Sequence, residues 1–144
     1  MAVAFALDQT TKQAAVVLLA SGPLEVGFSR FGLIANPGGF LGFPVPLSQI
    51  VGATAAGLVF AGAGLRGAAT AEVIGYGLFA GGAVGNLTDR IFHRAAFPPH
   101  AVVDWIAIPP GPTFNLADLF LVVGVLLLLL RRRTGRQIVS WSGS

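Results

Sequence analysis

The chain has no cysteine, two histidines, and charge on only 10% of its 144 residues. Without cysteine there is no disulfide, no thiolate metal site and no lipid-anchoring thiol on this chain, and the compartment stays open. The histidines, His93 and His100, flank Pro98-Pro99 and alone make a poor metal site. Also missing are a basic leading region and an A-x-A cleavage signal, so the first apolar stretch does not read as a removed signal peptide. A net charge of +3 suggests nucleic acid, but its placement argues otherwise. Four of the nine basic residues, Arg131, Arg132, Arg133 and Arg136, stand together directly after the apolar run ending at Leu130.

What is present is apolar. The hydrophobic fraction is 54% and the mean hydropathy +0.78. The length corresponds to one domain, residues 1–144, yet four long apolar stretches exceed what a soluble core of that size can bury. They place membrane spans at about 1–20, 47–65, 71–92 and 114–130, followed by a basic tail at 131–144. Each has 17 to 22 residues, enough to cross a hydrocarbon core of ~30 Å at ~1.5 Å per residue. The basic tail marks the cytoplasmic side. An even number of spans then puts both termini, and the link carrying Arg66, in the cytoplasm. The connections at 21–46 and 93–113 face outward.

Against that background Asp104 and Asp118 stand out. A carboxylate at membrane depth is expensive and is by default a functional-site hypothesis; two that converge suggest paired acid and base chemistry. The third span runs outward and ends near Asn86, Asp89 and Arg90, while the fourth runs inward and begins near Asn115 and Asp118. Asp104 lies in the loop joining them, and Asn36 and Gly38 lie in the other outer loop. The polar positions therefore gather at one membrane surface, as expected of a membrane-embedded aspartic hydrolase.

Plainer readings stand beside this one. Asn115 and Asp118 have the spacing of a helix cap and its partner, with Asp118 favoured by the positive end of the helix dipole. Asn86 and Asp89, at i,i+3, suit interhelical glue. Asp8 and Lys12, at i,i+4, form a structural polar pair. Gly81, Gly82 and Gly85 allow close helix packing. The segment 21–46 interleaves glycines with Phe28, Phe31, Phe40 and Phe43, and around Glu25 to Phe31 it alternates with a strand-like period. It reads as a substrate-contacting flap. A small proton or ion transporter, or a non-catalytic scaffold, would use the same carboxylates differently; a relay wants them spread through the depth of the bilayer.

Five motifs, in order, resemble the bacterial lipoprotein signal peptidases, or signal peptidase II. Asp8-Gln9-Thr10-Thr11-Lys12 is similar to that family's first-helix D-x-x-x-K element, and Asn36-Pro37-Gly38 to its N-x-G loop. Gly81-Gly82-Ala83-Val84-Gly85-Asn86-Leu87-Thr88-Asp89-Arg90 resembles its G-G-x-x-G-N-x-x-D-R helix. Val102-Val103-Asp104-Trp105 and Asn115-Leu116-Ala117-Asp118 resemble the segments holding its catalytic aspartates. The chain departs from the pattern at Leu119, where a serine is common, and has a short lead before Asp8; neither departure removes a carboxylate.

The resemblance implies an all-α integral membrane protein with four transmembrane helices and a small β-like extracytoplasmic loop, or cradle, after the first. It implies a monomer in the bacterial inner membrane, in contact with membrane lipids, without cofactor, metal or nucleic acid. Its substrates would be lipid-modified prolipoproteins, cut before the diacylglyceryl-modified cysteine. Asp104 and Asp118 would be catalytic, sharing one proton so that their titration belongs to the pair. Asn86, Asp89, Arg90 and Asn115 would orient the pair or the substrate, and Asn36 and Gly38 would contact an extended peptide. The helix dipole favours Asp118 as the anion by ~0.3–1 kcal/mol.

Overall fold

The computed structural model describes residues 1–39, 44–66, 68–92 and 97–139, with side chains through Arg131. Phe40, Phe43, His93 and Arg94 lie outside the described residues, as do the side chains of Arg132, Arg133 and Arg136. Four helices and four short strands make up the fold: α1 (Ala2–Leu18), β1 (Leu24–Val26), β2 (Ser29–Asn36), α2 (Leu47–Gly64), α3 (Thr70–Ile91), β3 (Val102–Ala107), β4 (Thr113–Phe114) and α4 (Leu116–Val139). The helices coincide closely with the apolar stretches. Of them, α2 alone among the described residues is both long and apolar enough throughout to cross a membrane. Charged residues interrupt the others, with Asp8 and Lys12 in α1 and Glu72, Asp89 and Arg90 in α3.

Two features go beyond the expected outline. The basic segment after Leu130 continues α4 to Val139; arginine is a good helix former, and cations suit a helix C-terminus. The β structure is also larger than a loop after the first helix. It is a four-stranded antiparallel sheet in the order β1-β2-β3-β4, and two of its strands come from the segment between α3 and α4. Asp104 therefore sits on a strand, not in a loop. The run Val102-Val103-Asp104-Trp105-Ile106 is β-branched and aromatic enough to pair, and β2 supplies the partner.

The β1–β2 hairpin turns at Gly27, whose φ of 59° suits glycine. In the β2–β3 ladder Ile34 faces Asp104 and Asn36 faces Val102, with a register shift between Phe31 and Ile34. Asn36, two residues beyond Ile34, shares its face of the sheet and lies diagonal to Asp104, within side-chain reach.

Glycines let the helices approach closely. A Cβ at Gly82 would lie 2.5 Å from the Ala117 carbonyl oxygen of α4, and one at Gly85 would overlap the Asp8 carboxylate of α1. Between the helices, burial is inverted relative to a water-soluble domain. Asp8, Lys12, Asn36, Asp89, Arg90, Asp104, Asn115 and Asp118 are all buried, while Val3, Val17, Leu18, Val59, Phe60, Leu126, Leu129 and Leu130 are exposed.

Candidate active site

The buried polar residues form one hydrogen-bonded network where the start of α4, the end of α3, the middle of α1 and the inner strands of the sheet meet. Asn115 is the N-cap of α4. Its backbone N–H donates to Asp118 Oδ2 at 3.1 Å, and its Oδ1 accepts from the Asp118 N–H at 3.1 Å. The capping arrangement is therefore present, with Asp118 in the acidic place of a capping box. It does not exhaust these residues. Asn115 Nδ2 reaches Asp104 Oδ1 at 2.7 Å and Asn86 Oδ1 at 3.1 Å. Asp104 Oδ2 accepts from Asn36 Nδ2 at 2.9 Å, and Asp118 Oδ1 accepts from Asn86 Nδ2 at 3.0 Å.

The polarity of this network follows from groups that can only donate. The Gly38 N–H donates to Asn36 Oδ1 at 2.9 Å, so Asn36 turns its NH₂ toward Asp104. The Asp118 N–H holds Asn115 Oδ1, so the Asn115 NH₂ also faces Asp104. Lys12 Nζ donates to Asn86 Oδ1 at 2.8 Å, so the Asn86 NH₂ faces Asp118. Each carboxylate is thus met by two N–H donors.

Asp104 is 2% exposed, and burial pushes its carboxyl up from the usual range to about 6, helped by the neighbouring Asp118 charge. The bonds from Asn36 and Asn115 and the charge of Lys12 oppose that rise. A buried aspartate poised near neutrality is suited to hold and release a proton.

Around the pair lies a frame of ions. Lys12 Nζ is 2.9 Å from Asp8 Oδ2 and 3.0 Å from Asp89 Oδ2. Asp8 Oδ1 in turn accepts from the Ala117 N–H at 3.1 Å, tying α1 to the first turn of α4. Arg90 braces the sheet side: Nη1 donates to the His100 carbonyl at 2.8 Å and Nη2 to the Gly38 carbonyl. All ten residues singled out in the sequence therefore join or adjoin one site, Gly38 through its backbone.

Two residues were missed. Gln9 donates to Asp8 at 3.0 Å and to the Gly85 carbonyl at 3.1 Å; its place inside the D-x-x-x-K element was the available signal. His100 accepts from Arg90 through its carbonyl, and its Nδ1 lies 2.9 Å from the Arg90 carbonyl oxygen. Its φ of 64° is uncommon for a residue with a side chain, and nothing in the sequence signals it.

Both aspartates line a cavity of about 310 Å³ whose other walls include Ile50, Ala53, Phe79, Ala83 and Leu121. Asp104 and Asn36 also border an open groove of about 640 Å³ against Pro37, Pro44, Val45 and Pro112. Asp104 stands between an apolar chamber among the helices, which it shares with Asp118, and a groove along the sheet. Among the described residues no three His, Cys, Asp or Glu side chains are grouped to hold a metal ion.

Residues 1–132 match the family model described as signal peptidase (SPase) II. A lipoprotein signal peptidase of Streptomyces coelicolor is 36% identical over 132 residues, covering 88% of this chain and 65% of that protein. One from Mycobacterium leprae is 34% identical over 134 residues, covering 90% and 67%. One from Pelotomaculum thermopropionicum is 33% identical over 136 residues, covering 89% and 85%. The chain thus spans about two thirds of the length of the Streptomyces relative. Two solved structures, each described as a bacterial membrane enzyme determined by the in meso method, share the fold. One has a TM-score of 0.79 at 21% identity, covering 99% of this chain and 89% of that one; the other has 0.74 at 22%, covering 99% and 90%.

Proposed function

The chain belongs to the signal peptidase II family, and from that premise we propose that it is a membrane-embedded aspartic endopeptidase. It removes signal peptides from prolipoproteins, cutting before the diacylglyceryl-modified cysteine. The observation that carries this reading is the meeting of Asp104 and Asp118 under amide donors beside one apolar cavity. Both members of an acid–base pair are thereby held in place before substrate arrives.

Asp118, at the N-terminus of α4, is the anion, and Asp104 carries the shared proton, in keeping with its value of about 6. Asp118 takes a proton from water, which attacks the scissile carbonyl carbon. Asp104 gives its proton to the carbonyl oxygen, and a tetrahedral diol forms. Asp118 then protonates the amide nitrogen as the C–N bond breaks, and Asp104 recovers a proton from the collapsing hydroxyl. Every proton is returned and one water is consumed.

The inverted burial supports a membrane setting, because exposed Leu and Val suit lipid and buried charges suit only a satisfied interior. We place all four helices across the bacterial inner membrane as a single monomeric domain, 1–144. Both termini lie in the cytoplasm and the sheet lies at the outer face, resting on membrane lipids. The signal peptide occupies the chamber among the helices, and Asn36, Gly39 and Val45, from the segment that reads as a flap, line that chamber. The gathering of Asp8, Asp89, Asp104 and Asp118 into one network disfavours a transport relay, which needs carboxylates at successive depths. The test is purified protein in detergent with a diacylglyceryl-modified prolipoprotein, read by mass spectrometry. A new N-terminus at the lipid-bearing cysteine is expected; an intact precursor would overturn the proposal.

A further inference from the structure

Lys12 is a buried charge that the proposed mechanism leaves without a role. Its side chain is fully buried, and its three N–H donors meet three acceptors, Asp8, Asp89 and Asn86, at 2.9, 3.0 and 2.8 Å. A purely structural purpose is a poor account of such a group. Buried ion pairs are weak evidence for stability, because apolar residues of similar volume commonly hold helices at least as well. The third acceptor is the informative one. Asn86 presents Oδ1 to Lys12 and Nδ2 to Asp118, so the ammonium stands one amide group away from the aspartate pair. Asn115 Nδ2 donates to the same Asn86 oxygen and reinforces that orientation.

On the peptidase reading above, we propose that Lys12 is a positioning residue. Its ammonium, clamped by Asp8 and Asp89, acts through the Asn86 amide to keep the aspartate pair singly ionised. The charges that face this region are Asp8 on α1, Asp89 and Arg90 on α3, Asp104 on β3 and Asp118 on α4. Four carboxylates are gathered against two cations. With Lys12 removed, Arg90 is the one cation among the described residues left to oppose them, and the pair takes up a second proton more readily. Both members are then neutral, and neither accepts a proton from water.

The test compares kcat/KM against pH for the full chain in detergent as wild type, Lys12→Met, Lys12→Arg and Asp89→Asn. Loss of a cation at this range moves the acidic limb of Lys12→Met upward by about one pH unit. The limb returns toward wild type in Lys12→Arg. Asp89→Asn removes a counter-charge from the ammonium and moves the limb the other way. A Lys12→Met profile that runs parallel to wild type, its rate lowered equally at every pH, would overturn the proposal. If Lys12→Met does not purify, an unmoved limb in Asp89→Asn overturns it as well. Should wild type cleave nothing, the peptidase reading has failed separately. Infrared titration of the carboxyl band then still decides the role of Lys12, with an upward shift in Lys12→Met supporting it and an unchanged titration overturning it.

Discussion

Replacing Asn36 by alanine separates a residue that touches substrate from one that tunes the aspartates. The side chain is 7% exposed and makes three bonds: to Asp104 Oδ2 at 2.9 Å, to the Gly39 carbonyl at 3.3 Å and from the Gly38 N–H at 2.9 Å. Alanine removes all three. With Asp104 protonated in the working state the lost bond is worth ~0.5–1.5 kcal/mol, against ~1.5–3 kcal/mol for the ionised carboxylate, so kcat/KM at the optimum falls by about 2- to 10-fold. Because the Asn36 bond favours the ionised carboxylate, its loss pushes Asp104 further above about 6. At ~1.4 kcal/mol per pH unit, that is a rise of about one unit. Asp104 is the proton donor in the proposed mechanism, so the alkaline limb of kcat/KM moves up by that amount. Stability falls too, since the buried Gly38 N–H loses its acceptor, a loss of ~1–3 kcal/mol. The assay is a pH series on purified wild type and variant with thermal melts of the same preparations. A lowered rate with an unmoved alkaline limb would refute the reasoning, leaving Asn36 as a substrate contact and Asp104 without its donor role.

Gly85→Ala, which drives a methyl into the Asp8 carboxylate, lowers stability by ~1–3 kcal/mol. Gly52→Ala, with nothing within 4 Å of the new methyl, leaves the melting temperature unchanged or slightly raised. Stability also depends on pH through Asp104. Its folded value of about 6 exceeds the ordinary 3.8, so the folded state binds the proton more tightly than the unfolded chain. Stability is accordingly lost as pH rises from about 4 to about 6, by at most ~3 kcal/mol. Melts across that range should slope for wild type, and the slope should diminish in Asp104→Asn. Cleavage should survive chelators; loss of activity in EDTA restored by a divalent cation would instead indicate metal-assisted hydrolysis.

The helices were legible because apolar run length is a local property, and the glycines were legible because close packing needs small residues wherever it occurs. The site residues were legible because charge is scarce here, so each buried charge carries unusual weight. The strand holding Asp104 was not, since its partner Asn36 lies 68 residues away and a short apolar run does not reveal what it pairs with. For the same reason the bond from Asn36 to Asp104 was not legible, and Asn36 read only as a peptide contact. The work of Arg90 was hidden because it binds the carbonyls of Gly38 and His100, and backbone acceptors carry no residue-type signal. Lys12 read as a local partner of Asp8; its second and third contacts appear only once α3 is packed against α1.

The central claim is that Asp104 and Asp118 work as one unit, and single-turnover cleavage of a lipid-modified prolipoprotein tests it most directly. Asp104→Asn, Asp118→Asn and the double variant should all insert and purify like wild type. Each single change should abolish cleavage, and the double should be no worse than either, as happens for groups that act together. Substantial turnover remaining in either single variant would contradict the account.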